Sequence, residues 1–518
     1  MGDKKSMAIN MVAQFISFAI GLAISFVLTR QIAELVGKDV YGFVGLANTF
    51  TSYVTVFTTA INSMLYRYVT IAYQRKEYDK ASTYFSSVMI TDMFITVILV
   101  PVAAGMIIFI DSIFDVPVSH IVDIKLLWLF IFANFLVCLS LGGFNVGNYA
   151  TNRLDLSAKR SIESNLIKAA ILVIAYTVFK PRVWYLGLAI FISGAYTIIT
   201  NIRYKKMLIP EVKLSKAFFR IKSIGELVGT GIWSSFNQLT QTLINGLDLV
   251  FANKYLGALE MSLMSYSKTV PVQILALIGL VSNVFGPKMT IVYASGDMER
   301  FKKNVNSALK LSGFICSVPI IGFVAFGTPF FKLWLVMLSD EEIRLTQLLS
   351  VLTLLPTMFS VYIYPLYSVN TITRKLKIPV LVSFGIGLVN VIMVPILMEY
   401  TTLGLVGIKI VSSVLLTLRV LLFVPLYAAY SLNMRWNTFY PALARGTVCS
   451  AVLLATFSFV NNIVVLDTWI KFGVICVLCG AFGYVVNFFI LLSKEERDIV
   501  HDLISGRVRK FTAKKRKS

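Results

Sequence analysis

The sequence predicts an all-α integral membrane protein with about fourteen transmembrane helices, and three observations lead to this fold class. First, 57% of the 518 residues are hydrophobic and only 14% are charged, which leaves too little polar surface for a water-soluble core of this size. Second, apolar runs of about the ~20 residues that a helix needs to cross the hydrocarbon recur along almost the whole chain. Third, basic residues collect in alternate loops between these runs.

Each apolar run is long enough for a transmembrane helix, and the ~10-residue alternating segments of a membrane-spanning barrel are not found. The predicted spans are 8–29, 41–64, 84–110, 126–149, 161–179, 183–202, 227–253, 263–287, 311–331, 345–369, 378–398, 403–429, 442–465 and 470–492.

The net charge of +22 follows the topology of the chain and does not indicate a nucleic-acid surface. Most Lys and Arg lie in the loops that share a side with the two termini, and basic loops stay on the cytoplasmic side of a membrane. Both termini are therefore predicted to be cytoplasmic. The charge is densest in 203–222 and in the tail from Arg507 to Lys517, where anionic headgroups or water are both suitable surroundings.

Several classes of protein are excluded or disfavoured by what the sequence lacks. The loops on the non-cytoplasmic side are too short for the extramembrane domain of a sugar polymerase or ligase. The two histidines, His120 and His501, are too few for a histidine-rich metal site, and no phosphate-binding glycine loop is found. We therefore expect no catalytic residues, no metal, no cofactor and no nucleic-acid partner. The five cysteines fall within predicted spans and imply no disulfide framework.

The order of spans and loops predicts two similar halves. Residues 24–50 overlay 244–270 at an offset of 220, with Gly37 and Gly257 aligned where a helix ends in a turn. Such parallel halves enclose a central cavity in many transporters. The predicted division is an N-terminal six-helix lobe (1–204), a basic cytoplasmic linker (205–226), a C-terminal six-helix lobe (227–430), two additional helices (431–492) and a basic cytoplasmic tail (493–518).

Short motifs along the chain resemble one transporter family. They are Asn10 and Gln14 in the first span, Leu-Val-Gly-x-x-x-Tyr-Gly at 35–42, Leu-Tyr-Arg-Tyr at 65–68, Leu-Asp-Leu-Val at 247–250, Leu-Gly at 256–257 and Tyr-Ser-Lys at 266–268. This pattern is similar to the Wzx-type polysaccharide flippases of the multidrug/oligosaccharidyl-lipid/polysaccharide (MOP) superfamily. Met261-Ser262 departs from the Val-Gly expected before Tyr266.

The resemblance implies a V-shaped pair of six-helix lobes around a cationic cavity in a bacterial cytoplasmic membrane. The headgroup of an undecaprenyl-diphosphate-linked oligosaccharide enters this cavity in such proteins while its tail remains in lipid. The implied role is export of precursors for O-antigen, capsule or exopolysaccharide, with polysaccharide assembly proteins as further partners.

Charged residues inside predicted spans are the candidate site, because a cation at the bilayer centre costs about 2.5–3.5 kcal/mol on insertion scales. Lys409 and Arg419 share the twelfth span, about 15 Å apart along a regular helix axis, and Arg419 is the strongest candidate. Lys168 and Lys268 are within reach of a membrane surface by snorkelling, so a cavity role competes with that interpretation. Arg30 and Arg67 end the first two spans, as topological anchors or as donors to a diphosphate.

Two carboxylates also fall within predicted spans, Asp92 in the third and Asp248 in the seventh. Each either neutralises a nearby cation or binds a coupling H⁺ or Na⁺, as intramembrane carboxylates often do.

Two other functions compete with the polysaccharide flippase. A flippase for the peptidoglycan precursor has the same implied fold and basic cavity. A multidrug or cation antiporter of the same superfamily would require an acidic cavity, whereas cations outnumber acids inside these spans.

Overall fold

The computed structural model describes residues 2–373, 375–494 and 496–498, and the described part is helical without a β-strand. For a few of these residues the backbone alone is described, namely 2–12, 15, 57, 60, 63, 230, 245, 283, 284, 287, 288, 291 and 294. The predicted tail beyond Asp498, with its basic run and His501, lies outside the described residues.

The helices of the first half of the chain are α1 (Gly2–Val36), α2 (Gly42–Gln74), α3 (Tyr78–Ile108), α4 (Ile110–Ile113), α5 (Ile121–Leu141), α6 (Val146–Ala150), α7 (Leu154–Val178), α8 (Trp184–Leu208), α9 (Ile221–Asn245) and α10 (Asp248–Leu256). Short 3₁₀ turns cover Val118–His120, Gly142–Asn145 and Lys216–Phe218.

The second half contains α11 (Ala258–Ala294), α12 (Met298–Trp334), α13 (Asp340–Ser360), α14 (Leu366–Ile372), α15 (Lys377–Tyr400), α16 (Gly404–Leu418), α17 (Val424–Ser431), α18 (Tyr440–Ile463) and α19 (Trp469–Ile490). A π-helical segment, Arg419–Phe423, joins α16 to α17.

The prediction of an all-α membrane fold is confirmed. In the described part of the chain, twelve segments are long and apolar enough to cross a membrane, and each matches a predicted span. The predicted span 41–64 falls on α2, which has 33 residues. The predicted span 227–253 falls on α9 and α10, which have 25 and 9 residues and are separated at 246–247. The total of fourteen spans and the side of the termini stay predictions.

Contacts between residues group the chain into two compact units. Unit 1 contains 1–266 and 380–408, and unit 2 contains 267–379 and 409–518. In unit 1, α2 packs along α9, α1 along α7, and α5 along α8. In unit 2, α12 packs against α13, α18 and α19. The boundaries of the predicted domains stay a prediction.

The two glycines aligned by the predicted repeat have matching conformations. Gly37 follows the end of α1 with φ of 133°, and Gly257 follows the end of α10 with φ of 116°. Side chains other than hydrogen are strained at such φ values, so both turns require glycine. The same local structure therefore recurs at the offset of 220 residues.

Residues related by this offset also touch each other in unit 1. The Gly42 N–H donates to Ser262 Oγ at 2.9 Å, and Ser262 Oγ donates to the Asp39 carbonyl at 2.8 Å. One turn further on, a Cβ at Gly45 would lie 2.7 Å from Ser265 Oγ. Ser262 occupies the departure from the family pattern, and its hydroxyl joins α2 to α11. We call Gly42, Gly45, Ser262 and Ser265 the glycine–serine seam.

The end of α19 is attached to α12 through a buried carboxylate in unit 2. Glu496 is 3% exposed and accepts hydrogen bonds from Ser307 at 2.8 Å and from Lys310 at 3.1 Å. Although burial raises the pKa of Glu496, hydrogen bonds from Ser493, Ser307 and Lys310 lower it to about 2. The carboxylate therefore stays ionised and holds the chain after α19 in place.

The glycine–serine seam predicts a specific sensitivity to added volume. A Cβ at Gly42 would lie 2.9 Å from the Ser262 backbone nitrogen, so Gly42→Ala should force α2 and α11 apart and cost about 1–3 kcal/mol. Gly105→Ala is the matched control, because no atom lies within 4 Å of a Cβ there. Thermal unfolding of the purified protein should show a lower Tm for Gly42→Ala alone. Equal Tm values for both variants would contradict the tight packing of the seam.

Candidate substrate path within the membrane helices

Arg419 begins the π-helical segment between α16 and α17. π-Helices are rare, and single π-helical turns inside α-helices are frequent at functional sites. The regular helix assumed for the spacing of Lys409 and Arg419 ends at Leu418, one residue before the arginine. Arg419 is therefore presented by a backbone whose geometry differs from that of its neighbours.

A second irregular backbone lies beside this segment. The predicted span 345–369 is interrupted, because α13 ends at Ser360 and α14 begins at Leu366. The π segment packs against α13, and α14 packs against α17. Non-helical backbone at membrane depth is tolerated where it is covered by protein or lines a polar cavity. Broken helices of this kind carry the binding sites of many transporters.

Tyr367, at the start of α14, faces the arginine, and Tyr364 in the break packs against Tyr367. The Arg419 guanidinium carbon lies 5.6 Å from the centre of the Tyr367 ring, within the range of a cation–π interaction. Tyr364 meets Tyr367 edge to face, with ring centres 5.3 Å apart. The Tyr367 ring thus lies against the guanidinium, and no described residue forms an ion pair with Arg419.

Arg419 has no hydrogen bond or ion pair with any residue that the structure describes, and its Nε atom is buried. Asn370, three residues after Tyr367 on α14, is also buried and its Oδ1 atom accepts no hydrogen bond from the described residues. Buried polar atoms are usually paired with protein, water or a ligand. A cationic donor and an amide acceptor thus lack a hydrogen-bond partner among the described residues.

The other predicted cations differ in their surroundings. In unit 2, Lys409 on α16 is buried with 2% exposure, and Lys268 on α11 is half-buried. In unit 1, Lys168 on α7 is half-buried and has no ion pair with a described residue. Arg67 on α2 is exposed, whereas Arg30 on α1 pairs with Glu34 at 2.8 Å. The ion pair on the surface of α1 favours an anchoring role for Arg30.

Both predicted carboxylates are buried in unit 1. Asp92 on α3 is 1% exposed, and neither of its oxygens lies within hydrogen-bonding geometry of a described donor, although the Asn62 side chain interacts with it. Asp248 begins α10 and is fully buried. Its carboxylate interacts electrostatically with the hydroxyl group of Tyr53. No described ion pair joins Asp92 to a predicted cation.

Another buried charged residue, Arg160, was not predicted as a site residue from the sequence. Its Nη1 atom donates to Asn201 and, at 3.2 Å, to Asn145 Oδ1, so neutral amides from neighbouring elements hold the guanidinium. Asn148 and Ser157 complete the cluster through hydrogen bonds of 2.9 to 3.3 Å. The predicted span began at 161, whereas α7 begins at Leu154 and therefore includes Arg160.

A stripe of polar residues on α2 was also not predicted from the sequence. The stripe passes along one face of α2 at a spacing of three or four residues, which places its members above one another. Its members are exposed or half-buried, and they are Asn48, Thr51, Thr55, Thr59, Asn62 and Tyr66. The helical spacing of Asn and Thr inside an apolar run was the signal for it. Asn237 and Gln241, four residues apart and exposed on α9, form a shorter polar face. Such faces require water or protein within a membrane.

An apolar cavity of about 350 Å³ lies in unit 2 between α12, α18 and α19. Its lining is dominated by aromatic side chains, including Phe323, Phe326, Phe457 and Phe472. Hydrocarbon fits these walls better than a sugar or a phosphate does. Among the described residues, no group of three or more His, Cys, Asp or Glu side chains is placed to hold a metal ion.

Comparisons with known proteins agree with this fold. No family model matches the chain. The uncharacterized membrane protein EpsK of Bacillus subtilis (strain 168) is 28% identical over 504 residues, which cover 95% of this chain and 97% of EpsK. The inward closed conformation of the lipid II flippase MurJ matches with a TM-score of 0.63 and 16% identity, over 96% of this chain and 99% of MurJ.

A second solved structure is the inward-facing conformation of a multidrug resistance MATE family transporter of the MOP superfamily. It matches with a TM-score of 0.56 and 15% identity, over 86% of this chain and 96% of that transporter. The class that the helices define is thus a polytopic membrane protein, and its particular fold is that of the MOP-superfamily transporters.

Arg160 and Arg419 should respond differently to removal of their charge. Arg160→Leu leaves Asn201 without its donor and should cost about 1–3 kcal/mol, seen as a lower Tm of the purified protein. Arg419→Leu removes no hydrogen bond and relieves an uncompensated charge, so its Tm should be unchanged or higher. An equal fall in Tm for both variants would assign Arg419 a structural role.

Proposed function

We propose that the protein is a flippase that moves a polyprenyl-diphosphate-linked oligosaccharide across the bacterial cytoplasmic membrane by alternating access. The observation that carries this proposal is Arg419, a cation at membrane depth with no described anionic partner. A charge in this position costs free energy to insert into the membrane, so it is expected to have a function. Transient binding of an anionic substrate is such a function. A substrate diphosphate has the charge and the acceptor oxygens that a guanidinium binds.

The surroundings of Arg419 suit a group that binds and leaves. The aromatic face of Tyr367 stabilises the cation without neutralising it, so the site keeps an attraction for anions. The same tyrosine ring offers a surface on which a sugar can stack. The apolar cavity between α12, α18 and α19 suits an isoprenoid tail, which has no polar group to satisfy.

The remaining predicted residues take supporting roles in this proposal. Lys409, Lys268, Lys168 and Arg67 add positive charge along the substrate path, and Asp92 and Asp248 are the candidates for binding a coupling H⁺ or Na⁺. Asp92 is the better candidate, because its carboxylate is buried on a membrane-length helix and its described polar neighbour, Asn62, is neutral. The proposed role is in surface polysaccharide biosynthesis, alongside the proteins that assemble the exported units.

The peptidoglycan-precursor flippase remains the second candidate, because its substrate carries the same diphosphate and the fold matches that of MurJ with the higher of the two TM-scores. A multidrug or cation antiporter is less favoured. The partnerless charge near the broken helix is a cation, which would repel a cationic drug.

Arg419→Ala should abolish translocation while the protein still inserts and folds. The assay uses proteoliposomes containing a fluorescent polyprenyl-diphosphate oligosaccharide and a membrane-impermeant quencher, which reports the protected inner-leaflet fraction. Arg419→Lys should retain part of the activity, because lysine keeps the charge but lacks the planar fork. Lys377→Gln, at an exposed position, is the control for a general loss of charge.

Unchanged protection kinetics in Arg419→Ala would contradict a cationic path through this residue. Transport of a lipid-linked peptidoglycan precursor in preference to the oligosaccharide would move the second candidate to first place. Transport of cationic dyes alone would support the antiporter.

A further inference from the structure

The linker between α8 and α9 has a fixed backbone rather than a free one. It passes along the start of α3, where three serine side chains form hydrogen bonds with its peptide groups. Lys213 N–H donates to Ser82 Oγ at 2.9 Å, and Ser86 Oγ donates to the Lys213 carbonyl at 3.0 Å. Arg220 N–H donates to Ser87 Oγ at 2.9 Å. We call residues 206–222 the basic strap.

The inner side of the basic strap is packed into unit 1. Ile209 and Val212 are fully buried in a cluster with Tyr84, Phe85 and Val88 of α3. The buried Lys205 donates to the Val212 carbonyl and lies 5.5 Å from the centre of the Phe85 ring. These contacts hold the strap in one orientation relative to α3.

The outer side of the basic strap is both cationic and apolar. Lys206, Lys213, Lys216 and Lys222 are exposed, and none forms an ion pair with a described residue. The exposed apolar side chains among them are Met207 at 63%, Leu214 at 39% and Ile221 at 72%. The one acidic residue of the strap, Glu211, accepts a hydrogen bond from Tyr73 at 3.3 Å.

We propose that the basic strap is a docking surface for the anionic cytoplasmic leaflet of the membrane, with its lysines on lipid phosphates and Met207, Leu214 and Ile221 in the interfacial region. Exposed lysines alone would suit water, but exposed apolar side chains between them favour an interface where both kinds of group are satisfied. Each basic residue near an anionic leaflet contributes about 1 kcal/mol. The proposal rests on the predicted cytoplasmic orientation of this loop and is independent of the transported substrate.

Docking of the strap would fix unit 1 to the leaflet through α3. The backbone hydrogen bonds to Ser82, Ser86 and Ser87 connect the lipid-facing lysines directly to a membrane-length helix. Anionic lipid is then a structural partner of this unit, and neutral lipid leaves the strap in water.

The test places an environment-sensitive dye on the strap of the full-length protein. Ala217 is exposed, and the Ala217→Cys variant carries the dye. In the control, the dye is attached to the Ser295→Cys variant, in the turn before α12. Unsubstituted protein labelled in parallel gives the background from the five native cysteines. Nanodiscs contain phosphatidylcholine alone, phosphatidylcholine with phosphatidylglycerol, or the same mixture with brominated phosphatidylglycerol as a quencher.

The expected result is a blue shift and bromine quenching at position 217 in phosphatidylglycerol, with neither change at position 295. Lys213→Gln/Lys216→Gln/Lys222→Gln should remove both effects, whereas Lys76→Gln/Lys159→Gln/Lys377→Gln, an equal charge loss at exposed positions, should retain them. Ile221→Ser should weaken the quenching with every lysine present.

Identical emission at position 217 in neutral and anionic nanodiscs would overturn the proposal. The same blue shift produced by inorganic phosphate in phosphatidylcholine nanodiscs would also overturn it, since the strap would then bind a soluble anion. An equal response at position 295 would show a general effect of the lipid and contradict a dedicated surface. Size-exclusion profiles of each variant confirm that the protein remains folded.

Discussion

The energetic cost of an uncompensated cation at membrane depth is the constraint on which the account of this protein depends. Water is absent from the bilayer core, so helices satisfy their own peptide groups and charged side chains must find partners. Some charges of the described chain obey this rule by pairing at the surface, as Arg30 does with Glu34. Arg419 does not, and it lies where α16 gives way to a π-helix beside the break between α13 and α14. In the proposed function, the substrate diphosphate binds in this region, where two irregular backbones meet a charge that has no partner among the described residues.

Arg160 and Arg419 show how similar residues separate into different roles. Amide oxygens of Asn145 and Asn201 surround Arg160 and connect the end of α5 with α7 and α8. The Tyr367 ring lies against Arg419, which forms no hydrogen bond with a described residue. The first arrangement stabilises a unit, whereas the second is the one to which the proposed function assigns anion binding. The two arginines therefore differ in their supply of described hydrogen-bond acceptors.

The sequence predicted the helical spans because hydrocarbon thickness imposes a length of about 20 apolar residues, and it predicted the turns at Gly37 and Gly257 because a positive φ requires glycine. It named Arg419 but not its setting, since the π-helix and the interrupted span depend on packing between helices. Arg160 was assigned to a loop because its partners, Asn145 and Asn201, are distant in sequence. The stripe on α2 was legible in the spacing of Asn and Thr, whereas the serines that hold the basic strap were not, because they lie about 130 residues away.

Binding of a lipid with and without its diphosphate tests the central claim most directly. Native mass spectrometry of the purified protein with polyprenyl diphosphate, and with the uncharged polyprenol of equal length, separates recognition of the headgroup from attraction of the tail. The account predicts that the diphosphate binds the wild-type protein more tightly than the polyprenol does, and that Arg419→Leu reduces the diphosphate to the level of the polyprenol. Equal binding of the two lipids to the wild-type protein, or an unchanged preference in Arg419→Leu, would contradict a cationic site at Arg419.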